Sequence, residues 1–121
     1  MARKREFDPA VAVAAAAEVF AWRGYEGASM DLLVRATGVH RGSLYAMFGS
    51  KRGLFLACLQ AADDDAPEPG DVWLVALTEM AHRDDEVRAL CADRVTRLGP
   101  GATGLIGARV LARAGVAPVD R

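Results

Sequence analysis

Apolar positions recur along this chain at helical rather than alternating spacing, and the elements they predict are short. Val13, Ala16, Ala17 and Phe20 stand at i, i+3, i+4 and i+7, one stripe of a helix running from Ala10 to Arg23. Asp8 supplies its N-cap, Pro9 suits the first helical position, and Gly24 ends it. A second stripe of Met30, Leu33, Val34 and Thr37 follows Ser29, a good N-cap. It stops at Gly38, which can take the left-handed conformation that closes a helix. Past that turn, Val39 and Leu44 stand at N′ and N4 of a third helix capped at His40, the spacing of a hydrophobic staple. Leu44 and Phe48 continue one inward face, and a further helix opens after Ser50.

The third helix is thus anchored on one side only. Its other positions, Arg41, Gly42, Ser43, Tyr45 and Ala46, are short or hydrogen-bonding residues suited to close approach to groove edges and phosphates. Two short helices across a glycine turn, the second one-sided, constitute a helix-turn-helix over residues 29–48. The helix after Ser50 carries Lys51 and Arg52 in its first turn, where the helix dipole favours acidic residues by about 0.3–1 kcal/mol each. An anion held by free backbone N–H groups and these cations accounts for the inversion, and DNA phosphate is the natural one. The plainer alternative is surface basic residues of no consequence.

The second half of the chain is patterned less sharply. The stretch Asp63 to Gly70, acidic and broken by two prolines, reads as a loop. Beyond it helices are expected at Val72–Ala81, Asp85–Leu98 and Thr103–Ala114. Val72, Val75 and Ala76 with Glu79 and Met80 give the first a mixed face, and Val87, Leu90, Cys91, Val95 and Leu98 give the second a clearer one. Asp84 and Asp85 start that second helix, Pro100-Gly101 interrupts it, and Leu105, Ile106, Val110 and Leu111 form the last stripe. The fold class is therefore all-α: a three-helix head containing the helix-turn-helix, joined by a fourth helix to a small helical body. The corresponding division is a DNA-binding domain over 1–66 and a helical region over 67–121.

Charge divides at nearly the same place. Residues 1–57 carry eight Lys/Arg against five Asp/Glu, whereas residues 58–121 carry seven against eleven. The net charge of −1 hides a basic half, and a nucleic-acid-binding protein need only be basic on its contact face. Arg3-Lys4-Arg5 before an alanine run imitates a secretion signal, but Asp8-Pro9 and the amphipathic spacing through Glu18 argue against one. The start reads instead as a basic arm for phosphate or the minor groove, or else as a solubilising tail. No apolar run approaches the roughly 18 residues of a membrane-spanning helix, so a cytoplasmic location is expected. Cys58 and Cys91 fit neither a CxxC pair nor a zinc spacing and are expected as core thiols. His40 and His82 lack neighbouring ligand types, so neither metal nor cofactor is expected.

From Phe7 to Leu59 the chain resembles the TetR family of bacterial transcription regulators. The densest part is Ala36 to Tyr45, followed by Phe48, Ser50-Lys51 and Leu54-Phe55; the Gly-Val, Leu-Tyr and Phe-x-Ser-Lys groups at these mutual spacings make the match specific. The resemblance implies that side chains at Arg41, Gly42, Ser43, Tyr45 and Met47 face bases or backbone, and that Ser29 and Lys51 hold phosphate. His40 departs from the usual small hydroxyl residue at the start of the recognition helix. A phosphate donor and an exposed loop histidine are both open for it. Asp31 puts a negative charge near the expected DNA side and is assigned to its own helix N-terminus. Compared with the family the helical body is short, lacking helices after the fourth and the final dimerising helix. A small-molecule effector pocket, for which Trp73, Met80 and Phe55 are candidate lining residues, is accordingly doubtful, and core packing is the commoner role for such residues.

The expected function is sequence-specific regulation of transcription by a homodimeric repressor on a partly palindromic operator. The alternative is an interaction protein whose shortened body forms a different oligomer or pairs with another regulator, binding DNA weakly. An enzyme is not expected, since no Ser/His/Asp set, nucleotide-binding glycine motif or placed carboxylate pair is visible.

Overall fold

The computed structural model of the protein describes residues 7–62 and 70–116. The basic arm at Arg3-Lys4-Arg5 and most of the acidic loop lie outside these residues. Every regular element among them is helical: α1 (Pro9–Gly27), α2 (Met30–Thr37), α3 (Arg41–Phe48), α4 (Lys51–Ala61), α5 (Asp71–Val75), α6 (Asp85–Leu98) and α7 (Ala102–Arg113). The chain forms two compact units, Met1–Ala61 and Ala62–Arg121.

In the first unit α1 begins as expected, with Asp8 accepting the Ala10 N–H at 2.9 Å and Pro9 in the first turn. It runs on to Gly27 rather than ending at Arg23, because the break at Gly24 (φ 79°, ψ 174°) is followed by one more turn. That break matters for packing. The Tyr25 ring lies flat on Phe20 at 5.8 Å and meets Phe55 edge-on at 5.2 Å, while Phe20 and Phe55 meet edge-on at 5.0 Å. Such offset and edge contacts suit the ring quadrupoles. Around them Val13, Ala16, Phe20, Leu33, Leu54, Phe55, Cys58 and Leu59 are buried. The Cys58 thiol donates to the Val13 carbonyl at 3.5 Å, and burial pushes its pKa up to about 12, so it remains a protonated packing group.

The second unit departs from the expected pattern at its start. The segment expected as one helix over Val72–Ala81 is α for five residues, widens into a π turn at Ala76–Met80, and tightens into a 3₁₀ turn at Ala81–Arg83. The Thr78 hydroxyl donates to the Leu74 carbonyl at 2.8 Å, competing for an acceptor of the helix ladder at the place where it widens. Val72 to Ala76 are buried without a gap, so this segment has no solvent face from which amphipathic spacing could be read. Trp73 is fully packed, its indole N–H donating to the Ala62 carbonyl at 3.3 Å. α6 matches its expected limits, capped by Asp84, which accepts the Val87 N–H at 3.1 Å. Cys91 on this helix is buried, its pKa raised by burial to about 11. α7 starts and ends one residue earlier than expected. Asp71, at the start of α5, takes Arg109 Nε at 2.6 Å and Arg113 Nη1 at 3.3 Å, tying α5 to α7. The Arg109 hydrogen bond, outweighing partial burial, holds the Asp71 carboxyl below its usual range.

Two substitutions test these joints. A Cβ at Gly53 would lie 1.9 Å from the Phe48 carbonyl oxygen, backbone that no rotamer change can move aside. Gly53→Ala should cost the first unit roughly 1–3 kcal/mol, the usual penalty of overpacking, read as a lowered urea midpoint. An unchanged midpoint would show that α3 and α4 can separate at no cost. Asp71→Asn should destabilise the second unit by roughly 1–3 kcal/mol at neutral pH, the scale of charge-assisted hydrogen bonds. Because the folded-state pKa of Asp71 is depressed, its contribution is complete above the ordinary carboxylate value and is lost as pH falls through the folded-state value. Thermal melts across that acid range should therefore converge for the two proteins, and a constant gap would contradict the clamp.

Candidate nucleic-acid interface

Three local devices build the turn between α2 and α3. Ser29 caps α2, its Oγ accepting the Leu32 N–H at 3.1 Å. Gly38 closes the helix in the left-handed region (φ 71°, ψ 14°), its N–H donating to the Val34 carbonyl at 2.9 Å. Thr37 spans the corner: its hydroxyl donates to the Leu33 carbonyl at 2.8 Å and accepts the Val39 N–H at 3.2 Å. The chain thus enters α3 with Val39 turned inward. Val39 and Leu44 bury together against Ala12, with Phe7, Met30, Val34 and Phe48 packed around them. The expected staple is present, and it fixes the angle at which α3 leaves the turn.

Along α3 only Leu44 is buried and Phe48 half-buried; Arg41, Gly42, Ser43, Tyr45, Ala46 and Met47 are exposed. Tyr45 and Met47 are 41% and 50% exposed, high for apolar bulk, so the helix offers a mixed polar and apolar surface. Gly42 has open space where a Cβ would sit, leaving backbone close to the surface. His40 is exposed at the N-cap position, but its side chain makes no capping hydrogen bond there.

The two cations of the site are held differently. Lys51 is half-buried, with Nζ 4.4 Å above the Tyr25 ring, a cation–π contact that holds the ammonium at the start of α4. In the same turn Ser50 Oγ accepts the Gly53 N–H at 2.9 Å, so one backbone donor there is already satisfied. Arg41 instead pairs with Asp31 across the turn, its Nη2 donating to Oδ1. Asp31 does lie in the first turn of α2, as a dipole-satisfying residue would. The ion pair is a further role, which ten residues of separation concealed. Tyr25 and Gly53 also escaped the motif reading. A glycine in a helix's opening turns, where it is a poor helix former, was the available sign of close approach at Gly53.

Phe55 belongs to the aromatic cluster of the first unit, and Trp73 and Met80 are core residues of the second, 2% and 4% exposed. An open groove of about 580 Å³ lies elsewhere, between α1 and α2, lined by residues including Val19, Trp22, Arg23, Leu32 and Arg35. Among the described residues no three His, Cys, Asp or Glu cluster as a metal site would require, and no helix is long and apolar enough to cross a membrane.

Residues 12–58 match the family described as bacterial regulatory proteins, tetR family. The chain is 44% identical over 61 residues to an uncharacterized HTH-type transcriptional regulator, YezE, of Bacillus subtilis, covering 50% of this chain and 31% of that protein. It is 45% identical over 53 residues to the repressor AcnR of Corynebacterium glutamicum, covering 44% of this chain and 27% of AcnR. To the activator FasR of Mycolicibacterium smegmatis it is 47% identical over 51 residues, 42% of this chain and 23% of FasR. The match thus spans under a third of each of these relatives' lengths. No solved structure gives a significant match. The matched segment coincides with the helices that build the turn and its flanks, so residues 12–58 are similar to the bacterial regulatory proteins of the tetR family.

Proposed function

We propose that the protein is a sequence-specific DNA-binding regulator of transcription, acting in the cytoplasm as a homodimeric repressor on a partly palindromic operator. The observation that carries this reading is the exposure of α3 along its length, save for Leu44 and Phe48, on a rigidly closed turn. Eight residues of helix measure about 12 Å at 1.5 Å per residue, matching a major groove about 12 Å wide. Arg41, Ser43, Tyr45 and Met47 then address base edges, the thymine methyl among them, and Gly42 lets backbone approach the DNA. Ser29, His40 and Lys51 address phosphate, fixing register without reading sequence. The division of labour is between a head at residues 1–66 that reads DNA and a region at 67–121 that pairs subunits.

Repression is favoured by relatives named as repressors, while one is named as an activator, so the sign of regulation is the part to be measured directly. Pairing through the second unit is supported by Leu90, Val95, Ile106 and Leu111, all partly exposed, and Val110, 42% exposed. A two-fold assembly of this kind places recognition helices about 34 Å apart, one turn of DNA. Genomic footprinting of the tagged protein, combined with transcript levels in its absence, tests operator and sign together. Derepressed genes beside footprints are expected; footprints with lost transcription would reverse the sign.

On the recovered operator, Arg41→Ala should cost about 1–3 kcal/mol of specific binding and relax preference at one position, whereas Lys51→Ala should weaken all sequences alike and lower the salt slope by about one per subunit. Salt titrations on matched and scrambled duplexes distinguish the two, and exchanged phenotypes would reassign both residues. Sedimentation of the intact chain at micromolar concentration should give a dimer; a monomer that still binds a single half-site would remove the two-fold model.

A further inference from the structure

We infer that Asp31 is a positioning residue that sets base specificity by holding the Arg41 guanidinium. The inference rests on the DNA-reading role proposed above for α3. Asp31 stands in the first turn of α2 and Arg41 at the first position of α3, so their ion pair crosses the turn at the edge of the surface offered to DNA. Both side chains are largely in solvent, 77% exposed for Asp31 and 50% for Arg41. A pair so exposed contributes little to folding stability, and the turn is already closed by Thr37, Gly38 and the Val39–Leu44 staple. Its consequence is felt when DNA arrives.

Arginine reads a base through two parallel N–H bonds from a planar fork, so its discrimination depends on the direction in which that plane is presented. With Nη2 bound to the Asp31 carboxylate, the fork is anchored at one end and its remaining donors are presented in a fixed direction. An unanchored arginine at the end of a flexible stem would serve neighbouring phosphates as readily as one base. The same carboxylate cancels the charge of Arg41 toward the phosphates and repels them itself. Random DNA therefore gains least from Arg41, and a base edge in line with the anchored fork gains most. The pair raises the ratio of specific to non-specific affinity, the quantity on which target finding among many competing sites depends.

The test compares the full-length protein with its Asp31→Asn, Asp31→Glu, Arg41→Ala and Asp31→Asn/Arg41→Ala variants. Each is used to select from a pool of randomised duplexes and is titrated with poly(dI-dC) across a salt series. Asp31→Asn should bind poly(dI-dC) more tightly, with a salt slope steeper by about one per subunit, and the base preference lost in Arg41→Ala should weaken by about tenfold or more. Asp31→Glu, which keeps a carboxylate within reach of the guanidinium, should retain that preference. In the Arg41→Ala background Asp31→Asn should change no base preference at all. A preference that survives in Asp31→Asn, or one that Asp31→Asn still alters without Arg41, overturns the inference while leaving the DNA-reading role intact. Failure of the unsubstituted protein to select any sequence, with all variants folded by circular dichroism, overturns that role and this inference with it.

Discussion

A helix of eight residues that buries one side chain completely has no stability of its own, and the whole first unit is arranged around that deficit. α3 must leave most of its surface free and yet stand at a fixed angle. Leu44 alone would let it pivot. Rotation is opposed at its start by Val39, locked through Thr37 and Gly38, and at its end by the approach of Gly53 to the Phe48 carbonyl. The helix is held at its two ends and at one point between them, and the side chains between those points are left for contact. Packing energy is thereby concentrated in α1, α2 and α4, whose buried residues form the aromatic and aliphatic core, and α3 borrows its order from them.

The handling of charge follows from the same geometry. Lys51 and Arg41 both lie beside the exposed surface, but the protein confines one by an aromatic face and the other by a carboxylate. A cation above a tyrosine ring keeps its full charge and gives up only part of its hydration, which suits attraction to a phosphate wherever the sequence runs. A guanidinium against aspartate loses net charge but gains direction, which suits a base and not a backbone. Basic residues at the start of α4 run against the helix dipole, and under the proposed DNA-binding role that first turn serves an external anion at some cost to the helix's own stability.

Much of this was legible in sequence because the signals are local. Asp8, Ser29 and Gly38 each act within four residues of themselves, and the structure places each in the role its type suggests. Val39 and Leu44 sit five apart and bury together as read. What spacing did not disclose depends on chain segments meeting in space. Tyr25 reaches Lys51 across 26 positions and Asp31 reaches Arg41 across ten, neither within the i, i+3 or i+4 relations that helix patterns expose. The π turn at Ala76–Met80 was hidden for the opposite reason. A segment buried on consecutive positions carries no polar face, so periodicity has nothing to report there.

The second unit solves a different problem with the same kind of parts. Its helices are short, its longest stripe is only partly covered, and its first segment shifts from α to π to 3₁₀ within thirteen residues. Apolar burial is concentrated at Val72 to Ala76, Met80, Val87 and Cys91, leaving α7 with Ala102 as its buried residue. A helix so lightly packed needs another restraint, and Asp71 supplies it by gripping two arginines one turn apart on α7. An ionic grip constrains a helix at its charged edge while leaving its apolar edge uncommitted. Leu105, Ile106 and Leu111 stay partly open and Val110 more so, which is the condition a helix must meet if its apolar side is to be completed from outside its own unit.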